Sequence, residues 1–193
     1  MKTFEEFLVE KNMSYSYGCM MLELDTSDND QLAIAVPFIQ ALQANIKQED
    51  LYIDVKEPER YGLEEELHCT LLYGLLDSVT KEDLDNIVEK FSPINIEIKG
   101  ISIFENADKG YDVVKLELLS KDLSKYNKTL KELPYKNDYP DYNPHITLAY
   151  VKLGKGKDYV QEFTTSIKIK GITKLVYKHA DRTKKPIHYK LDA

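Results

Sequence analysis

Apolar and polar residues alternate most regularly over residues 94–104, where isoleucine fills nearly every second position. A period of two predicts a strand with one buried face. The Asn-Ala-Asp-Lys-Gly sequence that follows is typical of a turn, and residues 111–119 then supply a hairpin partner. Other apolar runs predict further strands at residues 15–25, residues 51–55, and a closing hairpin of residues 166–179 with residues 187–191.

Apolar residues at helical spacing predict three helices, at residues 32–46, 80–91 and 122–133. Pro37 is expected to kink the first helix or to delay its start. Residues 1–12, with Phe4, Phe7 and Leu8, predict a short appended helix. Together these elements predict an α+β fold with two small, mostly antiparallel sheets in a single bilobal domain, residues 1–193.

Two short segments of the chain repeat one another. His68-Cys-Thr-Leu-Leu-Tyr73 and His145-Ile-Thr-Leu-Ala-Tyr150 agree at four of six positions, although the chain has only four histidines. Both segments are predicted to be strands. Alternation then places His68, Thr70 and Leu72 on one face and Tyr73 on the other, with the same arrangement in the second copy.

The repeat pairs an imidazole with a hydroxyl about 7 Å along each strand. If the two copies face each other, two histidines and two threonines converge on one cleft. One neutral histidine could then take a proton from an attacking oxygen, while the other, as imidazolium, donates a proton to the leaving oxygen. Thr70 and Thr147 would donate to the non-bridging oxygens of a phosphate. The predicted catalytic residues are therefore His68, Thr70, His145 and Thr147.

This duplicated H-x-T-hydrophobic pattern resembles the 2H phosphoesterase superfamily. The resemblance implies a two-lobed α+β fold with a pseudo-two-fold axis and a central cleft, and phosphodiesterase activity. The Tyr-Gly after the first motif and the Asn-Pro before the second are similar to the phage anti-CBASS enzymes, which cleave the cyclic oligonucleotide signals of bacterial CBASS immunity. His179 and His188 have no H-x-T partner and are expected to be structural or exposed.

Tyrosines near the predicted cleft are candidates for stacking on nucleobases, at roughly 1 to 3 kcal/mol each. Tyr142 lies in an aromatic, proline-containing loop just before His145. Tyr15 and Tyr17 lie at the start of the first strand, and this region resembles a base-stacking position of the phage enzymes. The predicted substrate-binding residues are therefore Tyr15, Tyr17 and Tyr142.

The charge and composition of the chain limit the kinds of partner that it is expected to bind. A net charge of −7 argues against coating of long nucleic acid, because such binding depends on phosphate neutralisation. Residues 151–193 nevertheless hold 11 Lys and Arg against 4 Asp and Glu, so this part could focus a small anion. Hydrophobic content of 42% and charged content of 31% are those of an ordinary soluble protein.

No metal or cofactor is expected, because C-x-x-C and H-E-x-x-H motifs are missing and Cys19 and Cys69 do not make a disulfide framework. With no signal peptide and no apolar run of membrane-spanning length, we expect a cytoplasmic protein without a membrane partner, in the host cell cytosol if it is viral. The oligomeric state is left open.

The sequence thus predicts a metal-independent phosphodiesterase that acts on cyclic di- or trinucleotides, as a phage countermeasure to CBASS. An RNA-end phosphodiesterase acting on 2′,3′-cyclic phosphate is the alternative enzyme. A cyclic-nucleotide sponge without catalysis and a structural phage component are alternatives of other classes. The attacking oxygen can be water or a ribose 2′-hydroxyl, and either histidine can be the base.

Overall fold

The computed structural model describes residues 17–57, 60–136, 141–181 and 183–192. Within these ranges the chain forms eight strands: β1 (Gly18–Glu23), β2 (His68–Leu75), β3 (Ile94–Asn106), β4 (Tyr111–Leu119), β5 (His145–Lys152), β6 (Gln161–Ile172), β7 (Lys174–Lys178) and β8 (Ile187–Lys190). The α-helices of the described residues are α1 (Asp30–Ala44), α2 (Lys81–Val88) and α3 (Lys121–Leu130).

The strands form two four-stranded sheets, in the orders β2-β1-β7-β8 and β5-β4-β3-β6. Every strand pair within them is antiparallel. The α+β class with two small antiparallel sheets is therefore confirmed. Each motif strand is the edge strand of its sheet, and β2 contacts β5, so the two sheets meet through the two motifs.

The helices begin at capping residues that the sequence supplies. The side chain of Asn29 accepts a hydrogen bond from the backbone N–H of Leu32 at the start of α1. Thr80 and Asp83 form a reciprocal capping box at the start of α2. Pro37 lies inside α1, which continues beyond it to Ala44.

Residues 51–55 were predicted to be a strand, and this prediction is wrong. Leu51 forms only an isolated bridge to Val151. The chain then turns at Asp54, whose carboxylate accepts a hydrogen bond from the backbone N–H of Lys56 at 2.9 Å. This side-chain turn competes with a strand ladder and ends the extended segment.

Residues 166–179 were predicted to be one arm of a hairpin, but the structure divides them between the two sheets. β6 pairs with β3 in the second sheet, whereas β7 pairs with β1 and β8 in the first. Gly171, at φ +70°, bends the chain before the division. Thr173 then donates its backbone N–H to the Asp28 carboxylate at 2.7 Å. Only the final β7–β8 hairpin agrees with the prediction.

Buried side chains from both sheets and all three helices form one continuous hydrophobic core. It includes Leu71 of β2 and Leu148 of β5, both fully buried. None of the helices in the described ranges is long and apolar enough to span a membrane. The predicted helix at residues 1–12 lies outside the described residues, and the single-domain organisation stays a prediction.

Candidate active site

His68 and His145 begin β2 and β5 and hold their rings in the same way. The Nδ1 atom of His68 lies 2.6 Å from the carbonyl oxygen of Glu66, and that of His145 lies 2.7 Å from the carbonyl oxygen of Asn143. A carbonyl can only accept, so each Nδ1 carries the hydrogen. The Nε2 atom of each ring is then the one that exchanges protons. Both side chains are half-buried.

The two motif strands approach each other at their first residues. The Tyr142 hydroxyl donates to the backbone carbonyl of Thr70 at 3.1 Å. The sulfur of Cys69 in β2 lies 4.0 Å from the Tyr142 hydroxyl, and burial raises the pKa of that thiol to about 12. Cys69 is thus a neutral packing residue between the two halves. These contacts place the starts of β2 and β5 side by side.

A β-bulge interrupts the first motif. Thr70 pairs with Met21 of β1, and the preceding residue of β1, Met20, pairs with Leu72. Leu71 is therefore an extra residue in β2. Leu71 and Leu72 are both buried, with 0% and 1% of their surface exposed. Leu72 is thus in the core, and its predicted place beside His68 is wrong.

The second motif has the same bulge at the same position. Thr147 pairs with Lys115 of β4, and Ala149 pairs with the neighbouring Val114. Leu148 is therefore the extra residue of β5. Leu148 and Ala149 are both fully buried, as at the matching positions of β2.

The bulges turn the last tyrosine of each motif onto the histidine face. β1 is regular, and its alternate residues pair with His68, Thr70 and Tyr73, in the order Glu23, Met21 and Cys19. Alternate residues of a regular strand share a face, so their partners do too. In β4, alternate residues likewise pair with His145, Thr147 and Tyr150, in the order Glu117, Lys115 and Val113. The prediction that Tyr73 and Tyr150 point away from the histidines is therefore wrong.

Each bulge is held by a buried side-chain amide from a helix. Asn127 of α3 donates to the carbonyl of Leu71 at 2.7 Å, and Gln43 of α1 donates to the carbonyl of Leu148 at 3.0 Å. Both amides are nearly inaccessible to solvent. The helix that precedes β2 in the chain thus holds the bulge of β5, and the helix that precedes β5 holds the bulge of β2.

A buried lysine distinguishes the surroundings of His145. Lys115 is only 6% exposed, and its Nζ atom donates to the Ser102 hydroxyl at 2.7 Å. The same Nζ lies 4.3 Å from the centroid of the Phe104 ring. That ring meets the His145 ring edge-on, with centroids 5.0 Å apart. A charged lysine in apolar surroundings is unusual, and burial lowers its pKa.

The environment of His145 favours its neutral form. Burial lowers the pKa of His145, and the positive charges of Lys115 and His68 lower it further, against the opposing effect of the Asn143 carbonyl. A neutral imidazole is the form that accepts a proton.

Acidic residues surround the other histidine. A cavity of about 310 Å³ opens beside His68, with Glu23, Glu66 and Lys178 in its lining. Lys178 forms an ion pair with Glu66. Burial raises the pKa of the nearby Glu64, although the charge of His68 opposes this effect.

The structure describes two of the three tyrosines that were predicted to bind substrate. Tyr17 is half-buried, with its ring 5.9 Å from that of Tyr73. Tyr142 is half-buried, and its hydroxyl is used in the contact to Thr70, so it positions the two halves whether or not it also touches substrate. Tyr15 lies outside the described residues. A substrate contact stays a prediction for all three.

The sequence reasoning missed Lys115, Gln43 and Asn127. Only Lys115 had a local signal, as a single cation in the apolar Tyr-Asp-Val-Val-Lys-Leu strand. The basic residues after position 150, by contrast, are partly used in ion pairs with acidic side chains, at Lys155–Asp50, Lys157–Glu105, Lys174–Asp25 and Lys178–Glu66. In the ranges that the structure describes, no three His, Cys, Asp or Glu side chains converge as metal ligands would.

Comparison with known proteins gives a family and a fold. A family model described as "Anti-CBASS protein Acb1" matches residues 15–176. Comparison with curated proteins gives no match. Among solved structures, Usb1 of Kluyveromyces marxianus is 13% identical, with 92% of this chain and 99% of that chain covered and a TM-score of 0.52.

Two further structures have the same fold. Usb1 of Kluyveromyces marxianus with uridine monophosphate is 13% identical, with 92% of this chain and 99% of that chain covered and a TM-score of 0.50. TT0787 of Thermus thermophilus is 14% identical, with 91% of this chain and 95% of that chain covered and a TM-score of 0.53. At these identities the similarity shows the fold alone.

Proposed function

The chain belongs to the anti-CBASS protein Acb1 family, and from this premise we propose that it is a metal-independent phosphodiesterase that hydrolyses cyclic di- and trinucleotide signals. Family membership and the 2H phosphoesterase fold confirm the resemblance predicted from the two motifs. One observation carries the proposal. Two histidines with matched ring contacts begin two strands that meet side by side, each with a threonine two residues later.

His145 is the proton acceptor in this proposal, because its burial and the neighbouring positive charges favour a neutral ring. It removes the proton from the attacking oxygen, and the phosphorus–oxygen bond to that oxygen forms. His68, as imidazolium, donates a proton to the oxygen whose bond to phosphorus breaks. Thr70 and Thr147 stabilise the charge that develops on the non-bridging oxygens. After cleavage, proton exchange with solvent restores neutral His145 and charged His68 for the next turnover.

A compact nucleotide fits the site better than a long polymer. The protein has a net charge of −7, and acidic residues line the cavity beside His68. Such a surface repels a long polyanion, whereas one small ligand needs only local compensation. Uridine monophosphate is bound in one of the structures with the same fold, which supports a nucleotide as ligand.

In this proposal the protein is a phage countermeasure that acts in the host cytosol, where it destroys the cyclic nucleotide signal of CBASS immunity. A sponge would instead remove the free signal by binding it, without cleavage. Two histidines in suitable ring geometry favour cleavage over binding, because a sponge needs no proton transfer.

Product analysis tests the activity. The purified protein is incubated with cyclic dinucleotides, cyclic trinucleotides and 2′,3′-cyclic mononucleotides, each with and without EDTA. We expect cleavage of the cyclic oligonucleotides at a rate that EDTA leaves unchanged. Binding without any product would identify a sponge, and cleavage of the mononucleotides alone would identify an RNA-end enzyme. Loss of activity in EDTA would contradict the mechanism.

The attacking oxygen is identified with a cyclic dinucleotide that lacks both 2′-hydroxyls. Turnover of this substrate means attack by water. Resistance of the deoxy substrate, with a 2′,3′-cyclic phosphate among the products of the ribose substrate, means attack by the 2′-hydroxyl.

A further inference from the structure

The tyrosine that ends each motif has no role in the mechanism above, yet both tyrosines lie on the histidine face. The strand partners of Tyr73 and Tyr150 lie two residues beyond those of Thr70 and Thr147, so each tyrosine lies roughly 7 Å beyond its threonine. That distance is comparable to the span of one nucleoside. Each tyrosine owes its place to a bulge whose leucine is buried and whose carbonyl is held by a helix amide.

Beyond their first residues the two motif strands separate. The carbonyl of Gly74 in β2 accepts a hydrogen bond from the backbone N–H of Lys136 at 2.8 Å. The backbone N–H of Tyr150 in β5 donates instead to Gly62 at 2.7 Å. Each strand therefore pairs with a different loop after its motif begins, so Tyr73 and Tyr150 lie in separate surroundings.

Each tyrosine is part of a group of edge-packed rings. The Tyr73 ring meets the Tyr17 ring at 83°, with centroids 5.9 Å apart, and we call this pair the first wall. The Tyr150 ring meets the Tyr61 ring at 87° and 5.3 Å, and we call this pair the second wall. All four rings are half-buried.

Side chains packed against each wall restrict the motion of its rings. Tyr73 packs on Cys19, Met21 and Val176, a small buried cluster on the histidine face of the first sheet. In the second wall, Tyr111 supports both rings, with centroids 5.2 Å from Tyr61 and 5.5 Å from Tyr150. Rings held in this way lose little freedom when a base stacks on them, which favours binding.

We infer that the first and second walls are two base-stacking subsites, one on each side of the scissile phosphate. The substrate then carries a nucleoside on both sides of the bond that is cut. This inference rests on the proposed function and names the residues that select an internal phosphodiester of a cyclic oligonucleotide. A terminal 2′,3′-cyclic phosphate has only one adjoining nucleoside and would fill one wall.

The test combines tyrosine variants with base-deleted substrates. Tyr73→Leu, Tyr150→Leu and the double variant are assayed with cyclic di-AMP and with an analogue in which one adenine is replaced by hydrogen. For wild type we expect removal of one base to lower kcat/KM by about 5- to 100-fold, the effect of one stacked base. Each single variant should lose a similar factor with cyclic di-AMP, mainly through KM.

The half-abasic substrate separates stacking from a general disturbance. Its single base can occupy whichever wall remains. With this substrate, kcat/KM of each single variant should therefore be close to that of wild type, whereas that of the double variant should be about 5- to 100-fold lower. The inference would be overturned if each single variant lost kcat/KM equally with both substrates. It would also be overturned if wild type cleaved the half-abasic substrate as fast as cyclic di-AMP. Failure of wild type to cleave any cyclic di- or trinucleotide would instead contradict the proposed function.

A binding measurement gives a readout that does not need catalysis. In a His68→Ala background, a cyclic dinucleotide with one 2-aminopurine should lose fluorescence on binding, because stacking quenches this base. Tyr73→Phe and Tyr150→Phe keep the ring and should retain quenching that the leucine variants lose. Phe38→Leu is the matched control, since Phe38 and Phe163 form another edge-packed pair at β6, on the outer strand of the second sheet. Quenching that survives in the double leucine variant would overturn the inference.

Discussion

The half of the molecule that presents His68 and the half that presents His145 match closely, and they differ at one position beside the histidines. Each histidine lies opposite a glutamate of the neighbouring strand, Glu23 or Glu117. Opposite the threonines, however, the first half has Met21 and the second half has Lys115. A duplicated scaffold thus holds two imidazoles alike, while burial and the nearby charge of Lys115 lower the pKa of His145.

Among the variants that test this comparison, those that lack either histidine should show the largest loss of rate. We expect His68→Ala and His145→Ala each to lower kcat by roughly 10² to 10⁴, because each removes one of the two proton transfers. The double variant should be little worse than the single ones, since both act in one step. Rates are measured with cyclic di-AMP, and the melting temperature checks the fold.

His188→Ala serves as the control for these variants, because the His188 side chain is largely exposed and lies beside Glu23. Full activity in both His68→Ala and His145→Ala would refute the site.

The threonines should give the next largest effect, and the two halves should behave alike. Thr70→Val and Thr147→Val keep the shape of the side chain but remove a donor to the phosphate, so each should lower kcat by roughly 10² to 10³. Thr129→Val, on the surface of α3, is the control. A loss confined to one of the two motif threonines would mean that only one half binds the non-bridging oxygens.

The helix amides test whether the bulges are equally well supported. Asn127→Leu and Gln43→Leu each leave a buried leucine carbonyl without its amide donor, at a cost of about 1 to 3 kcal/mol in the free energy of unfolding. Gln43→Leu should cost about as much as Asn127→Leu. The Leu148 carbonyl keeps the backbone N–H of Glu64 as a donor, but the Glu64 carbonyl loses the Gln43 amide that donates to it at 2.8 Å. Urea denaturation measures both values, with the exposed Gln161→Leu as control. A loss of stability in only one of the two variants would contradict this expectation.

Lys115→Met makes the second half match the first and should have the smallest effect on rate at neutral pH. Because Lys115 lowers the pKa of His145, its removal should raise that pKa and move the acid limb of the pH–rate profile to higher pH. The rate at pH 6 should fall more than the rate at pH 8. NMR titration of the His145 ring should show the same upward shift.

Lys99→Met is the control for this variant, since Lys99 is exposed and pairs with Glu97 in its own strand. An unchanged His145 titration in Lys115→Met would mean that Lys115 does not contribute to the lowered pKa of His145.

Local patterns were sufficient to predict much of the fold and the four motif residues. The alternating residues 94–104 and their partner 111–119 became β3 and β4, because each strand pairs with its neighbour in sequence. The repeat of His, Thr and Leu is also local, so the positions of the motif strands followed from it. The presence of His68 and His145 at the starts of touching strands agrees with the predicted site, whose catalytic role stays a prediction.

What could not be predicted depends on contacts between distant parts of the chain. An extra residue at Leu71 or Leu148 exists only relative to a partner strand, so no local pattern reveals the bulge. Periodicity likewise gives no sign that β6 and β7 belong to different sheets, because both are extended. Lys115 was visible as a charge in an apolar strand, but its proximity to His145 arises from strand register.

The position of β7 has a consequence for the biogenesis of the protein. β1 leaves the ribosome early, but one of its two neighbours is β7, and the whole second sheet is synthesised in between. The sheet that presents His68 therefore stays incomplete, with an open edge on β1, until β7 has emerged. The nascent chain consequently carries this unpaired strand edge throughout synthesis of the second sheet.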